Sequence, residues 1–191
     1  MRAARYSRRQ MRSGPLVLVN RQHPLAEEPR QLLTAADERY PNILLERQAA
    51  RLLAACIQAA GGAREIVPVS GWRSQAEQQA IWEDSLAENG LPFTQTYVAY
   101  PGHSEHQTGL ALDVIAPGGT LNGFKNTQQF VWMRDNAHRF GFILRYGDGM
   151  EYITGYKFEP WHYRYVGVDA ATFIYENDLT FEEYYAYYVK K

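Results

Sequence analysis

Two histidines and two acidic residues, carried by two short segments, have the types and spacing of a metal site. The segment 101–114 contains His106 and Asp113, and about fifty residues later Glu159 and His162 follow each other closely. The imidazoles and the Asp113 carboxylate form a ligand set suited to zinc. Three protein ligands leave a fourth position open, as in catalytic zinc sites. Spacing alone leaves one alternative, in which both imidazoles only hydrogen-bond within a sheet.

Glu159 precedes His162 by three residues, with Pro160 between them. On a regular strand these two side chains would face opposite ways. Proline often marks an edge or a bulge, so a local distortion at Pro160 would bring them together. With that geometry, Glu159 is predicted to be the general base that takes a proton from the attacking water and passes it to the leaving amine.

Arg73 is predicted to lie at a strand-to-helix junction, directly before the capping-box pattern of Ser74 and Glu77. Positive potential gathers at a helix N-terminus, and a guanidinium there can grip a substrate carboxylate in a fork geometry. Gln78 lies one turn into the same helix and faces either that ligand or water. The alternative for Arg73 is an ordinary surface salt bridge.

The remaining histidines have weaker claims to a metal. His103 shares a loop with His106 but lies on the other side of Ser104, so we interpret it as a bystander. His23 and His138 have no acidic residue at ligand spacing, so structural or surface roles are predicted for both.

Hydrophobic periodicity and capping signals predict a mixture of helices and short strands. Helices are predicted at 43–60, 74–89, 126–139 and from Thr180 onward, and strands at 16–19, 66–70, 96–100, 110–114, 142–146 and 158–166. In the strand 110–114, Leu110, Leu112 and Val114 face one side and Asp113 the other. Because strands and helices do not alternate regularly, we predict an α+β fold, a small antiparallel sheet flanked by helices.

Composition limits the other possibilities. The 191 residues suit a single domain at 15–191 after a basic arm at 1–14, and a net charge of −1 gives no reason to expect nucleic acid. Cys56 is the only cysteine, so an internal disulfide and a four-cysteine zinc site are excluded. The apolar stretch 16–19 is too short for an export signal, and no run approaches a membrane span, so a cytoplasmic protein without an obligate protein partner is predicted. The Gly-rich segment 116–128 is either a mobile lid or an ordinary connection.

Three motifs along the chain resemble those of the zinc D,D-peptidases of glycopeptide resistance. These are the VanY-type carboxypeptidases and, most closely, the bifunctional VanXY-type enzymes. Ser-x-His-x-x-Gly-x-Ala-x-Asp spans 104–113, Glu-x-x-His spans 159–162, and Arg-Ser follows a predicted strand at 73–74. The resemblance implies the fold of these peptidases. It also implies His106, Asp113 and His162 as zinc ligands and Glu159 as the catalytic base. Arg73 is implied to be both catalytic, by stabilising the oxyanion, and a substrate contact, and Gln78 and Ser104 are implied to hydrogen-bond the substrate.

The resemblance further implies hydrolysis of the D-Ala–D-Ala bond in the dipeptide, in the UDP-linked muramoyl pentapeptide precursor, or in both, which is an activity of vancomycin resistance. Two other enzyme types share the metal motifs and remain open: an L,D-carboxypeptidase and an endolysin-like peptidoglycan endopeptidase. A module that binds peptidoglycan peptides without catalysis is the alternative from another class. The presence of Glu159 beside a complete ligand set argues against that module.

Overall fold

The computed structural model describes residues 14–27, 33–61 and 65–188. The strands are β1 Leu33–Ala35, β2 Leu44–Glu46, β3 Val67–Ser70, β4 Ala111–Ile115, β5 Phe142–Leu144 and β6 His162–Tyr165. The α-helices are α1 Arg47–Ala60, α2 Gln75–Asn89, α3 Leu91–Tyr97, α4 Gln128–Asn136, α5 Glu151–Thr154, α6 Val168–Glu176 and α7 Phe181–Tyr188. Short 3₁₀ helices lie at Glu105–Thr108, Phe124–Asn126 and Ala137–Phe140.

A four-stranded antiparallel sheet forms the centre of the fold, with the strand order β3-β4-β6-β5. Strands β1 and β2 pair separately in a second antiparallel ribbon. In the register of the main sheet, Asp113 of β4 lies between Ser70 of β3 and His162 of β6. Antiparallel sheets with flanking helices confirm the α+β prediction.

Two hydrophobic clusters pack against this sheet. Leu112, Val114 and Tyr163 belong to a large cluster with α1 and α4, and each buried side chain of this size contributes about 1.5–3 kcal/mol. The neighbouring residues Phe142 and Ile143 of β5 belong to different clusters, as expected when successive side chains point to opposite faces. The predicted facing of the apolar residues in 110–114 is therefore confirmed, and it leaves Asp113 on the other face.

The helix predicted at 43–60 begins later than expected. Residues Leu44–Glu46 form β2, and α1 starts at Arg47, where the Glu46 carboxylate accepts hydrogen bonds from the backbone N–H groups of Gln48 and Ala49. Leu45 is buried as expected, but it is buried from a strand paired with β1. The end of the helix is confirmed, because Gly61 follows it with a φ of 49°.

The strand predicted at 96–100 is wrong, because Leu91–Tyr97 is helix α3. A proline near its N-terminus suits a helical first turn, and Thr94 packs against α2 with its hydroxyl 2.9 Å from that of Ser85. The strand predicted at 16–19 is also absent from the described residues. Leu16 and Leu18 are nevertheless buried in the second cluster, from an irregular segment.

The remaining predicted elements are present with shifted ends. Thr127, not Asn126, caps α4, which ends at Asn136 and continues as a 3₁₀ helix to Phe140. Strand β5 is shorter than the predicted 142–146, and β6 begins at His162 because 159–161 form a turn. The capping boxes at Ser74 and Thr180 are both formed, and each begins the helix it predicted.

The predicted basic arm lies outside the described residues apart from Gly14, and the single domain at 15–191 stays a prediction. Within the described ranges, no helix combines the length and the apolar character needed to cross a bilayer.

Candidate metal centre

Sheet register and one tight turn bring the predicted ligands together. Asp113 and His162 face each other across β4 and β6, and Asp113 Oδ1 lies 3.1 Å from His162 Nδ1. His106 lies on the 3₁₀ helix that ends at Gly109, whose φ of 71° favours glycine and turns the chain into β4. His106 Nε2 lies 3.4 Å from Asp113 Oδ2. One ligand atom from each of the three residues lies within 4.8 Å of the others, and all three residues are buried.

Each imidazole is oriented by a hydrogen bond on its outer nitrogen. The Nδ1–H of His106 donates to the Gly71 carbonyl at 2.7 Å, which leaves Nε2 for the cluster. His162 has the opposite orientation, with Nε2 3.3 Å from the Glu105 carboxylate and Nδ1 in the cluster. Metal-ligating histidines usually have such partners on the remote ring nitrogen. This donor set, with its two oriented nitrogens and one carboxylate, fits a metal ion.

The charges within the cluster follow from burial and from these contacts. Burial alone would raise the pKa of Asp113, but His106 and His162 outweigh it and hold that pKa well below its usual range. Burial lowers the pKa of His106. For His162 burial also acts to lower the pKa, but the Asp113 and Glu105 carboxylates raise it to about 9. The cluster therefore contains a buried anionic carboxylate, and a divalent cation would compensate its charge.

Glu159 lies beside the cluster because the chain turns before β6 begins. The backbone N–H of His162 donates to the Glu159 carbonyl at 3.1 Å, which closes the turn over Pro160. As a result Glu159 Oε2 lies 3.8 Å from His162 Nδ1. Burial raises the pKa of Glu159 to about 7, and the Asp113 carboxylate adds to this effect. A carboxyl group with such a pKa can accept and donate a proton near neutral pH.

Arg73 is linked to the same cluster through the backbone of His106. Its guanidinium donates to Gln78 Oε1 at 2.8 Å and to Ser70 Oγ at 3.0 Å, while its backbone N–H donates to the His106 carbonyl at 3.2 Å. Burial lowers the pKa of Arg73, and the carboxylates of Asp113 and Glu159 are among the charges that oppose this shift. No carboxylate of the described residues forms a salt bridge with Arg73, so the predicted alternative of a surface ion pair is not found.

The other residues singled out from the motifs have different surroundings. Gln78 is buried, with its oxygen accepting from Arg73 and its nitrogen donating to the Ala99 carbonyl at 2.7 Å, so its amide supports Arg73. Ser104 is buried directly before the 3₁₀ helix of His106. His103 Nδ1 lies 2.8 Å from the Asn20 carbonyl, and this residue is not part of the metal cluster.

Sequence reasoning missed Glu105. Its side chain is fully buried between His162 and the guanidinium groups of Arg145 and Arg164. Burial alone would raise the pKa of Glu105, but the two arginines outweigh it and hold that pKa far below its usual range. One signal was present in the sequence, because an acidic residue beside His106 and two arginines in predicted strands need partners when buried.

The segment 116–128 is anchored at its C-terminal part. Phe124 is fully buried and packs 6.0 Å from the ring of Phe130, while Gly118 forms a turn with a φ of 68°. Whether the remainder closes over the site stays a prediction.

Comparison with known proteins decides the family. The model of the family VanY, D-alanyl-D-alanine carboxypeptidase, matches residues 42–168, a range that contains every predicted site residue. The chain belongs to the VanY family. It is therefore a member of a family of enzymes, as the resemblance in its motifs predicted.

Two curated relatives of this VanY-family chain show where the similarity extends. The putative carboxypeptidase YodJ of Bacillus subtilis is 41% identical over 181 residues, which are 89% of this chain and 66% of YodJ. The bifunctional D-Ala-D-Ala dipeptidase and carboxypeptidase VanXYC of Enterococcus gallinarum is 37% identical over 184 residues, which are 90% of this chain and 94% of VanXYC. The chain thus spans about two thirds of YodJ but nearly all of VanXYC.

Solved structures agree with this assignment. The D,D-dipeptidase VanXYg, in complex with a D-Ala-D-Ala phosphinate analog, has a TM-score of 0.86 and 41% identity, covering 94% of this chain and 73% of that chain. The LD-carboxypeptidase LdcB has a TM-score of 0.80 and 40% identity, covering 90% and 85%. A mutant of the D,D-pentapeptidase VanY in complex with Zn(II) has a TM-score of 0.78 and 37% identity, covering 89% and 98%. The predicted fold class is confirmed.

Proposed function

We propose that this chain is a zinc D,D-peptidase that hydrolyses the D-Ala–D-Ala bond of the dipeptide, of a pentapeptide precursor, or of both. The observation that carries the proposal is the buried cluster of His106, Asp113 and His162 with the Glu159 carboxylate beside it. The similar structures of VanXYg with a D-Ala-D-Ala analog and of VanY with Zn(II) support the substrate class and the metal.

His106 Nε2, Asp113 and His162 Nδ1 would hold the zinc ion in this proposal. When bound, zinc lowers the pKa of water and polarises a peptide carbonyl. The protein's own contribution begins with the orientation of both imidazoles by Gly71 and Glu105, which keeps a fixed nitrogen of each ring directed into the cluster.

Glu159 would move the proton. With a pKa raised to about 7 by burial, its carboxylate can accept the proton of the attacking water and then donate it to the amine of the leaving D-alanine. A bound cation would favour the carboxylate form and so the first of these steps. The turn over Pro160 keeps this group within 3.8 Å of His162 Nδ1, close enough to act on a substrate bound at the cluster.

Arg73 would bind either the oxyanion that develops on the scissile carbonyl or the terminal carboxylate of the substrate. Its guanidinium is already oriented by Ser70 and Gln78, so little reorganisation accompanies substrate binding. Ser104 and Gln78 are proposed to hydrogen-bond the substrate as well, and for Gln78 the bond to Arg73 supports an indirect contribution.

Replacing Glu159 tests the proposal. In Glu159→Ala we expect the stoichiometry of bound zinc to be unchanged and the release of D-alanine from D-Ala-D-Ala to fall by about 10²–10⁴-fold, because proton transfer contributes about that much. Glu151→Ala is the matched control, since Glu151 is an acidic residue of α5 whose 3.9 Å ion pair with Lys157 is not part of the site. Unchanged turnover in Glu159→Ala would refute the role of the base.

The second candidate is an L,D-carboxypeptidase, and the similarity to LdcB favours it. Both activities would use the same metal centre and differ in the shape of the substrate pocket. A D,D-dipeptide, a D,D-pentapeptide and an L,D-tetrapeptide, each incubated with the zinc-loaded enzyme, separate the candidates by which of them releases D-alanine. Cleavage of longer peptides without free D-alanine would indicate an endopeptidase instead.

The UDP-linked muramoyl pentapeptide as a substrate and a cytoplasmic location complete the proposal. A cytoplasmic enzyme would meet this precursor before its transfer to the membrane. Fractionation of producing cells, with D-alanine release measured in each fraction, tests the location directly.

A further inference from the structure

We propose that Glu105 is a positioning residue for His162, and that the buried network around Glu105 makes the C-terminal helix α7 part of the support of the metal centre. The inference rests on the proposed zinc site. It concerns residues that do not contact the metal or the substrate in that proposal.

Glu105 uses both carboxylate oxygens. Oε1 accepts hydrogen bonds from Arg145 Nε and Arg164 Nη1, each at 2.8 Å, and Oε2 lies 3.3 Å from His162 Nε2. The side chains of Glu105, Arg145 and Arg164 have no exposed surface. The Glu105 carboxylate that contacts His162 Nε2 is therefore held by arginines from two neighbouring parts of the sheet, because Arg164 belongs to β6 and Arg145 follows β5 directly.

The Glu105 carboxylate can only accept a hydrogen bond from the His162 ring. Bonded to two guanidinium groups, Glu105 is ionised and can accept hydrogen bonds but not donate them. His162 Nε2 must then keep its proton, so in the zinc-loaded protein Nδ1, 3.1 Å from Asp113, would be the ring nitrogen that gives up its proton and binds the metal. Glu105 thus selects both the tautomer and the ring orientation of the ligand.

The network continues to the C-terminal helix. Arg145 Nη1 donates to Glu182 of α7 at 2.8 Å and Nη2 at 2.5 Å, and Glu182 also accepts from Asn20 Nδ2 at 3.1 Å. Phe181, the first residue of α7, covers both guanidinium groups, with its ring centroid 5.5 Å from Arg145 Cζ and 5.2 Å from Arg164 Cζ. Helix α7 therefore reaches His162 through Arg145 and Glu105.

Charge balance explains why the network can remain buried. Glu105 and Glu182 neutralise Arg145 and Arg164, so the four side chains together carry no net charge. Arg164 also donates to the backbone carbonyls of Pro15 and Val17, at 3.0 and 2.7 Å. Removing one carboxylate would leave a buried cation uncompensated, which is costly. An informative variant must therefore keep the negative charge and change only the length of the side chain.

The first test uses the unaltered protein. In long-range ¹H–¹⁵N spectra of the zinc-loaded enzyme, we expect His162 to be protonated at Nε2 and metal-bound through Nδ1, and His106 to show the reverse arrangement because its Nδ1–H donates to Gly71. Protonation of His162 at Nδ1 would overturn the inference, since Glu105 would then not define the tautomer.

The second test shortens the side chain. Glu105→Asp keeps the charge between the arginines but withdraws the carboxylate from His162. We expect its zinc affinity, measured by competition with a chelator, to fall by about 10–100-fold, the usual effect of losing such a partner. In the cobalt-substituted protein, the visible absorption spectrum should also change, because the imidazole is no longer held in one orientation. Asp135→Asn is the control, since it removes a carboxylate from a surface ion pair with Arg134.

The outcomes separate this inference from the proposed function. An unaltered protein that binds no zinc overturns the proposed function. If the unaltered protein binds zinc, and Glu105→Asp has the same affinity and the same cobalt spectrum while its melting temperature falls, Glu105 is only a structural residue and the inference is wrong. For Glu182→Asp, which keeps the charge but shortens the side chain that pairs with Arg145, we expect a smaller loss of zinc affinity, and an unchanged affinity would exclude α7 from the support.

Discussion

Gly71 links the backbone of the strand-to-helix junction to a proposed metal ligand. Its carbonyl accepts the Nδ1–H of His106, and a Cβ at this position would lie 2.4 Å from the Leu44 carbonyl oxygen and 3.0 Å from Ile43 Cγ2. The first of these neighbours is backbone and cannot move aside cheaply. Glycine is therefore required at this position by a close approach and not by an unusual φ.

We expect Gly71→Ala to lower the free energy of unfolding by about 1–3 kcal/mol, the range for overpacking a tight site, and to weaken zinc binding because the acceptor of His106 moves. Denaturant titration and chelator competition measure the two effects. Gly147→Ala is the control, since a Cβ at that position meets only the flexible Met150 side chain at 3.5 Å. Equal stability of both variants would contradict this account.

Cys56 is fully buried in the large hydrophobic cluster, as its position on the apolar face of the predicted helix indicated. Burial raises the pKa of its thiol to about 12, so the thiolate is scarcely populated near pH 8. We expect a thiol reagent such as a disulfide dye to label the native protein very slowly and the denatured protein completely. Rapid stoichiometric labelling of the folded chain would show that α1 opens readily.

At the scale of elements, helix α2 depends on its cap more than on its packing. Gln78 is the only residue of α2 that is buried, and the helix begins with a capping box in which Ser74 Oγ and Glu77 exchange hydrogen bonds with the backbone. We expect Ser74→Ala to cost about 1 kcal/mol, the usual effect of losing a cap. Thermal unfolding measures this, and Thr127→Ala at the start of α4 offers a comparison with a helix that buries more residues.

The cap also affects the site, because Ser74 follows Arg73 directly. A frayed first turn would move Gln78, which holds the Arg73 guanidinium. We therefore expect Ser74→Ala to raise KM more than it lowers kcat, and a stability loss without any kinetic change would separate the cap from the substrate contact.

At the scale of the whole molecule, the fold and the metal centre have separate supports. Two hydrophobic clusters on opposite sides of the sheet hold the strands together, while the proposed ligands lie on a polar part of one face. We expect a chelator to abolish D-alanine release but to leave the far-ultraviolet circular dichroism spectrum nearly unchanged. Zinc should then restore activity and raise the melting temperature. At a zinc concentration a thousandfold above Kd, the free energy of unfolding should increase by about 4 kcal/mol. Loss of the folded spectrum on metal removal would contradict this separation.

Local residue patterns predicted the residue types of the proposed site and most of the local structure. Short sequence motifs predicted the proposed ligands, the acid beside them and the arginine before a capped helix. This was possible because metal chemistry and helix caps restrict the choice of residues over a short stretch of chain. The alternation of Leu110, Leu112 and Val114 likewise placed Asp113 on the opposite face before any contact was known. Where local signals conflicted, as in 91–97, the helix was missed because its few apolar residues do not repeat with a clear period.

How these parts meet depends on contacts between distant segments of the chain. The register of β4 against β6 sets Asp113 opposite His162, and it follows from pairing between segments almost fifty residues apart. The partners of Glu105 come from positions 145 and 164, and their link to α7 depends on how this helix packs against Arg145. Such contacts arise from the packing of distant segments, and no local pattern encodes them. The residues that meet in the buried cluster were therefore predictable, whereas the network proposed to hold them in place was not.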